Sequence, residues 1–285
     1  MPSQSPAIAP LTPADLPDAL ALVRECGWNQ VEADWDVFLS EGAAFRVGTP
    51  QGEIAATAAI LPYRPFGWIS MVLVGAGHRR RGLATQLLQR CIAELRERGL
   101  VPMLDATPAG REVYRQLGFH DGWAITRWRR TAPASQWLPA GEDGVAPLQD
   151  EHWAELAALD AQAFGADRLP LLRALAARCR DFACVARADG RVTGFLLGRD
   201  GRLATQVGPL VAQDAATAQA LLAHALRRID APVLLDVLDR HCDFSALLPR
   251  CGFAVERGYT RMALGADRAF GDDARMVAIA GPELG

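Results

Sequence analysis

The sequence predicts an α/β protein (an α+β arrangement in which helices flank a mixed sheet) that contains the same series of elements twice. Three observations support this prediction: strand-like and helix-like stretches alternate, a proline-rich segment lies near the middle, and the chain repeats itself. With 285 residues, the chain is long enough for two domains of middling size. Half of the residues are hydrophobic, which is sufficient for a packed core.

The internal repeat has a constant offset of 134 residues over forty-odd positions. The matches are Gly118-Phe119 with Gly252-Phe253, Thr126-Arg127 with Thr260-Arg261, Leu87-Leu88 with Leu221-Leu222, and Ala84 with Ala218. A small gap near Asp105 and Asp236 is needed. We therefore predict a first domain at residues 1–131, a linker at 132–148 that is rich in proline and glycine, and a second domain with a C-terminal tail at 149–285.

Local patterns predict the elements of the first copy in order. They are a helix at 13–26, a hairpin at 43–61, a buried strand at 68–74, a helix from Arg81 that stops at Gly99, a strand at 100–105, a short helix from Thr107-Pro108 to about Leu117, and strands around Phe119 and at 124–129. Similar elements follow in the second copy, with a hairpin turn at 187–192. The apolar C-terminal stretch is expected to pack back on a domain.

Composition excludes several classes of function. No lysine is present and all 30 basic residues are arginine, so a Schiff-base or P-loop lysine is excluded. The net charge of −3 gives no support for nucleic-acid binding through bulk positive charge. The six cysteines form no CxxC pair, so we expect buried reduced thiols and no metal site. No secretory signal or membrane span is visible, and cytoplasmic location is the expectation.

The stretch VLVGAGHRRRGLATQLLQRC, residues 72–91, joins a strand to a helix through a turn that contains glycine. Backbone N–H groups at a helix start lack partners and, with the helix dipole, form an anion site. Gly82 allows close approach of a phosphate, and the neighbouring arginines can add charged hydrogen bonds. A solvated charge cluster is the alternative. Walker A and dinucleotide loops do not fit, since one needs a lysine and the other a glycine at Arg80.

Arg79-Arg80-Arg81-Gly82-Leu83-Ala84 fits the pattern R/Q-x-x-G-x-G/A directly after a strand, and Tyr114 lies four residues before Gly118-Phe119. The chain thereby resembles the GNAT superfamily of acyl-CoA-dependent N-acetyltransferases, of a tandem, two-copy type. The resemblance covers residues 11–130 in element order. One departure is Ala109, where many members carry an asparagine that touches the pantetheine arm.

The resemblance implies two GNAT-like domains, each with a mostly antiparallel mixed sheet whose central strands splay apart. It implies acetyl-CoA as cosubstrate, with the pantetheine arm paired to β backbone and the pyrophosphate on the arginine loop. The implied cosubstrate-binding residues are Val72, Leu73, Val74, Arg79, Arg80, Arg81, Gly82, Leu83, Ala84 and Thr85.

The second copy carries Gln213-Asp214-Ala215-Ala216-Thr217-Ala218 over the arginine loop and Leu248 at the tyrosine position. A leucine cannot donate a proton, so this copy is predicted to be degenerate and to have a structural or acceptor-shaping role. Weak CoA binding by it stays open.

The resemblance makes Tyr114 the candidate acid for the leaving thiolate, because a phenol keeps its proton at neutral pH. The alternative is a tyrosine that only packs against the sheet. Asp105 and Asp34 are candidate bases, each more typical of a structural role. Trp28, Asn29, Asp34 and Trp35 are candidates for the acceptor pocket, although the two tryptophans could equally cap a core.

The leading hypothesis is an N-acetyltransferase whose first copy acetylates a primary amine on a small molecule, peptide or protein. The alternative is a sensor or scaffold that binds acyl-CoA without turnover. A nucleic-acid binder that uses the arginines is the least supported. Neither a metal nor a membrane is an expected partner, and the protein is expected to be a monomer or homodimer.

Overall fold

The computed structural model describes residues 7–131, 144–230, 232–266 and 270–285. The chain divides into two compact units, Met1–Met103 and Leu104–Gly285. The predicted linker lies mostly outside the described residues, at 132–143. The repeat boundary near residue 131 is a property of the sequence copies and stays a prediction.

The first unit has a mixed, mostly antiparallel sheet with helices packed on it. Its strands are β1 (Ile8–Pro10), β2 (Ala43–Gly48), β3 (Ile54–Tyr63), β4 (Phe66–Val74) and the start of β5 (Val101–Ala106), in the order β1-β2-β3-β4-β5. Its helices are α1 (Leu16–Glu25), α2 (Glu32–Glu41) and α3 (Leu83–Glu97), with 3-10 turns at Pro13–Asp15 and Ala76–His78.

Helix α3 confirms the periodicity read from the sequence. Its buried face consists of Leu83, Leu87, Leu88, Cys91, Ile92 and Leu95. The helix packs closely on β4, since a Cβ built on Gly67 would lie 2.2 Å from Leu95 Cδ2. Gly99 follows the helix with a φ of +70°, as expected of a helix stop.

Strand β4 is irregular at the point where it leaves β5. The two strands pair in parallel from Phe66–Val101 to Trp68–Met103, and β4 continues to Val74. Met71 has a φ of +52°, and the register against β3 shifts between Thr57 and Ala59. Such a bulge bends a strand and increases its twist, so β4 changes direction between the residues that pair with β5 and its end at Val74.

The second unit contains the remaining elements. The helices are α4 (Pro108–Gln116), α5 (Trp153–Phe164), α6 (Leu169–Arg178), α7 (Ala215–Leu226) and α8 (Cys242–Leu247). The strands are β6 (Phe119–Arg130), β7 (Val145–Pro147), β8 (Cys184–Ala188), β9 (Arg191–Arg199), β10 (Thr205–Ala212), β11 (Val233–Leu238), β12 (Phe253–Leu264) and β13 (Met276–Ala278). The strand order is β12-β6-β11-β13-β10-β9-β8-β7.

Strand β6 belongs to the first sequence copy but lies between two strands of the second. It pairs antiparallel with β11, from Arg130–Val233 to Ile125–Leu238. On its other edge it pairs antiparallel with β12, from Arg130–Phe253 to Phe119–Leu264. The expectation of two separate strands around Phe119 and at 124–129 was wrong: they form one strand, because the two register shifts against β12 are absorbed by bulges, one on β12 at Glu256 and one on β6 at 122–123, and the pairing continues past both.

Several local predictions are confirmed. The hairpin at 43–61 is β2–β3, and Thr107 caps α4 by accepting a hydrogen bond of 3.2 Å from the N–H of Gly110. The turn at 187–192 places Asp189 and Gly190 at φ +51° and +78°. The expectation of buried thiols was wrong for Cys242, whose side chain is exposed at the start of α8. No helix in the described ranges is long and apolar enough to cross a bilayer.

Candidate active site

The segment between β4 and α3, residues 75–82, forms a loop suited to hold an anion. Arg80 and Gly82 have positive φ values of +61° and +78°, and alternating backbone conformations of this kind turn successive N–H groups toward one concavity. Gly82 is the N-cap of α3 and, as a glycine, supplies no side-chain cap to the first turn of the helix. The N–H groups and the positive end of the helix dipole are thus directed at the loop.

The need for glycine at position 82 comes from backbone conformation and not from crowding. A Cβ built there would meet only Gln86 Nε2, at 3.8 Å. Its φ of +78° disfavours any side chain by roughly 1–2 kcal/mol. Arg80 has a comparable conformation without being glycine, which indicates local strain of the kind found at binding loops.

The three arginines of the loop are exposed, and Arg79 is tied to the end of β4. Its Nε donates to the carbonyl oxygen of Val74 over 3.2 Å, and its guanidinium approaches Cys26 Sγ at 3.9 Å. Arg80 and Arg81 extend from the loop beside the α3 N-terminus. This arrangement provides positive charge next to the backbone N–H groups, and both are suited to phosphate oxygens.

Glu25 is a loop contact that the sequence analysis missed. Its carboxylate accepts a 2.6 Å hydrogen bond from the N–H of Ala76 and so fastens the end of α1 to the loop. The local sequence around Glu25 does not indicate this contact, because the hydrogen bond joins positions that are 51 residues apart.

The predicted β4 and α3 positions are partly open to solvent. Val72 and Val74 are half-buried, whereas Leu73 is buried and pairs with Thr57 of β3. In the first turn of α3, Leu83 is buried, and Ala84 and Thr85 are half-buried.

The predicted acceptor segment leads into α2. Trp28 is half-buried and Asn29 is buried. Asp34 is buried and accepts a 2.8 Å hydrogen bond from the N–H of Val31 at the start of the helix. Trp35 is fully buried and packs edge-on against Phe38, with ring centroids 6.1 Å apart. Asp34 and Trp35 therefore have structural contacts of their own.

Tyr114 lies on α4, in the second unit. Burial raises the pKa of its phenol, so the hydroxyl keeps its proton well above neutral pH. Its ring lies 6.0 Å from the ring of Phe119. A Cβ on Gly110 would come within 3.1 Å of Tyr114 Cε2, so glycine one turn earlier leaves room for the ring. The geometry suits a proton donor held in a fixed orientation.

Comparison with known proteins identifies the family. The model of the Acetyltransferase (GNAT) family matches residues 16–119, and the model of an Acetyltransferase (GNAT) domain matches residues 156–277. The chain belongs to the GNAT superfamily. Two GNAT domains in one chain make it an acyltransferase of the tandem type.

Relatives of this GNAT protein extend over most of its length. It is 23% identical over 237 residues to YitH, an uncharacterized N-acetyltransferase of Bacillus subtilis, covering 82% of this chain and 83% of the relative. A solved structure of a candidate acetyltransferase from Pyrococcus horikoshii has a TM-score of 0.80 and 22% identity, covering 100% of this chain and 98% of that one. A tandem GNAT protein from the clavulanic acid biosynthesis pathway has a TM-score of 0.64 and 16% identity, covering 91% and 98%.

Asp105 of this GNAT protein is held in a buried ion pair. Arg261 on β12 donates two hydrogen bonds of 3.0 Å to its carboxylate. Burial raises the pKa of Asp105, and the guanidinium of Arg261 opposes that rise. Because both carboxylate oxygens are engaged, the pairing argues for a structural role and against a free base.

The second GNAT copy has a different strand-to-helix junction. Only Gln213 and Asp214 separate β10 from α7, and Asp214 caps the helix by accepting a 2.7 Å hydrogen bond from the N–H of Thr217. Leu248, at the position that corresponds to Tyr114, is fully buried. The second copy therefore has no counterpart at these positions of the α3 N-terminus without a side-chain cap, or of the Tyr114 phenol.

Proposed function

We propose that this GNAT protein transfers an acetyl group from acetyl-CoA to a primary amine, and that its first copy carries out the reaction. The uncapped N-terminus of α3 behind Gly82 is the observation that carries the proposal. Phosphate is the ligand best matched to several N–H groups, a helix dipole and adjacent arginines.

In this proposal the pyrophosphate of acetyl-CoA binds to the segment from Arg79 to Thr85. The pantetheine amides pair with the backbone of Val72, Leu73 and Val74, in the manner of an added strand. Arg79 then exchanges its hydrogen bond to Val74 for one to phosphate. Both partners of the reaction are held together, and most of the rate gain comes from proximity and orientation.

The chemical step is direct attack in a ternary complex. The neutral amine nitrogen forms a bond to the acetyl carbonyl carbon, and the bond from that carbon to sulfur breaks. The amine passes its extra proton to water or to a base, and Tyr114 gives its proton to the departing thiolate. Burial raises the pKa of the Tyr114 phenol above its ordinary value, so the phenol is protonated at neutral pH and available as the acid.

The acceptor is a small-molecule amine or an amine of a peptide or protein. Trp28, Asn29, Asp34 and Trp35 are the residues proposed to form its pocket. The second copy, predicted at residues 149–285, takes a structural or acceptor-shaping role.

Calorimetric titration with acetyl-CoA tests the binding part of the proposal. Gly82→Glu places a carboxylate at the start of α3 and is expected to weaken binding at least tenfold. Gly99→Glu is a matched control at the other end of the helix, since Gly99 also has a positive φ (+70°) and open space around its Cβ position. An equal loss of acetyl-CoA affinity in Gly82→Glu and Gly99→Glu would contradict the proposal, and so would the absence of acetyl-CoA binding by the unaltered protein.

Turnover separates an enzyme from a sensor that binds acyl-CoA. A panel of primary amines is incubated with acetyl-CoA, and release of the CoA thiol is measured. Amine-dependent thiol release that Gly82→Glu lowers and Gly99→Glu preserves supports transfer. Tight binding without release for any amine would favour the sensor.

A further inference from the structure

The central parallel strands of the two GNAT copies pair through the same number of residue pairs. In the second copy, β10 and β11 pair in parallel from Thr205–Val233 to Val207–Leu235, just as β4 and β5 share three pairs. The register of β10 against β9 then shifts between Val207 and Leu210. In the second copy, β10 and β11 therefore separate beyond the third pair, and their facing backbone groups need hydrogen-bond partners.

In the second copy this gap contains strand β13 from the C-terminal tail. On one side β13 pairs antiparallel with β10 through Leu210–Ala278 and Val211–Met276. On the other side Ala278 pairs with Val237 of β11. Two flanking hydrogen bonds of 3.0 Å extend the contact, from Ala212 N–H to the Arg275 carbonyl and from Ile279 N–H to the Asp236 carbonyl.

The tail is held in the gap by burial and by ion pairs. Residues 276–280 are at most 3% exposed. Arg199 donates to the carbonyl oxygen of Ala280 over 2.5 Å and forms a buried ion pair with Glu283. Arg168 donates to the carbonyl oxygen of Gly285 over 2.7 Å. Removing the tail would take the Glu283 carboxylate from the buried guanidinium of Arg199, which is strongly unfavourable, whereas Arg168 would keep its ion pair with Asp160.

The anion end of the same cleft is also filled. The carboxylate of Asp214 accepts a hydrogen bond from the N–H of Thr217 in the first turn of α7. The N-cap of the corresponding helix in the first copy, α3, provides no side-chain cap. His241 Nε2 lies 3.0 Å from the carbonyl oxygen of Met276, and Arg240 pairs with Asp273. The remaining cavity beside Cys242 and Val277 has a volume of about 200 Å³, below the range of pockets for drug-sized ligands.

We infer that the second GNAT copy has its cosubstrate cleft occupied by its own chain, with Asp214 in the place of a phosphate and Met276–Ala278 in the place of the pantetheine arm. The protein consequently binds one acyl-CoA per chain. The inference rests on the proposed function of the first copy, because it uses the same mode of binding.

Hydrogen exchange of the full chain, with and without saturating acetyl-CoA, tests this inference. Peptides that cover 276–280 are expected to exchange about a thousandfold more slowly than an unstructured peptide, and acetyl-CoA should leave that rate unchanged. Peptides that cover Val72, Leu73 and Val74 should slow at least tenfold on addition of acetyl-CoA. Calorimetry should give one site, which Gly82→Glu removes.

The outcomes for the two proposals differ. Two acetyl-CoA sites, or faster exchange at 276–280 with acetyl-CoA, would overturn the internal occupancy while leaving the proposed transferase intact. Fast exchange at 276–280 without ligand would also overturn it. A protected tail in a protein that binds no acetyl-CoA would contradict the proposed function and still support occupancy of the cleft by the tail.

Discussion

Arg261 of the second copy donates two hydrogen bonds to Asp105 of the first, and Arg127 of the first copy does the same to Asp236 of the second. Both pairs are bidentate, and the side chains of both aspartates are fully buried. The repeat match between Thr126-Arg127 and Thr260-Arg261 thus has a physical basis, since each copy supplies the counter-ion that the other buries.

We predict that Arg261→Met destabilises the protein by about 3–5 kcal/mol, because it leaves a buried carboxylate without a counter-ion. Urea unfolding measures the change. Arg257→Ala on the same strand is the control: its side chain is 46% exposed in an ion pair with Glu256, and such surface pairs contribute about 1 kcal/mol or less. Equal effects would mean that the buried pair does not stabilise the fold.

Tyr114→Phe should lower kcat by about 10²–10⁴-fold and leave KM for acetyl-CoA nearly unchanged, since only the proton donor is lost. Burial raises the pKa of Tyr114 above that of a free phenol, so the wild-type rate should not fall through loss of the phenol proton at neutral or mildly alkaline pH. Stopped-time assays of thiol release measure kcat and KM of the variant, and the same assays at several pH values measure the pH dependence of the wild-type rate. Val113→Ala, at the neighbouring exposed position on α4, should retain full activity; a similar loss there would remove Tyr114 from the chemistry.

Asp214→Ala should destabilise the protein by about 1 kcal/mol at pH 7, through loss of the α7 cap. The Thr217 N–H lowers the pKa of Asp214, so its contribution is present above the unfolded pKa of about 3.9 and disappears as pH falls through the lower folded value. Thermal unfolding at pH 7 and near pH 2 measures the difference. Asp214→Asn keeps a hydrogen-bond acceptor at the cap, so at pH 7 it should lose less unfolding free energy than Asp214→Ala.

Thiol labelling at pH 8 should show one fast cysteine. Cys242 is exposed, whereas burial raises the pKa of Cys91 and of Cys179 to about 12. Cys242→Ser is expected to abolish the fast phase measured with a chromogenic disulfide. Cys26, beside Val74 and Arg79, should react slowly and more slowly still with acetyl-CoA. An unchanged Cys26 rate would argue against a cosubstrate at the end of β4.

The sequence predicted those parts of the fold that local patterns determine. The apolar period of α3, the stop at Gly99 and the Thr107-Pro108 start of α4 each depend on neighbouring residues, and all three are confirmed. The position of β6 between β11 and β12 could not be predicted, because pairs such as Phe119–Leu264 leave no signal in local periodicity. The repeat match found Arg127 and Arg261 and placed a gap near Asp105 and Asp236, but it did not predict that these arginines pair with these aspartates.

The candidate site was predicted to a similar extent. The arginine loop and Tyr114 were found because each depends on a short motif with a fixed spacing. Glu25 and β13 were missed for different reasons. The Glu25 contact joins distant positions, and a three-residue strand is too short to show an alternating pattern.

The place of β6 has a consequence for synthesis of the chain. Its partners on β12 leave the ribosome after a further 130 or so residues, which takes roughly 6–26 s at ordinary translation rates. During that interval both edges of β6 lack their partners, and open strand edges promote aggregation. We therefore expect nascent chains that end near residue 131 to require a chaperone, and the two halves of the coding sequence to yield folded protein only when both polypeptides are present together.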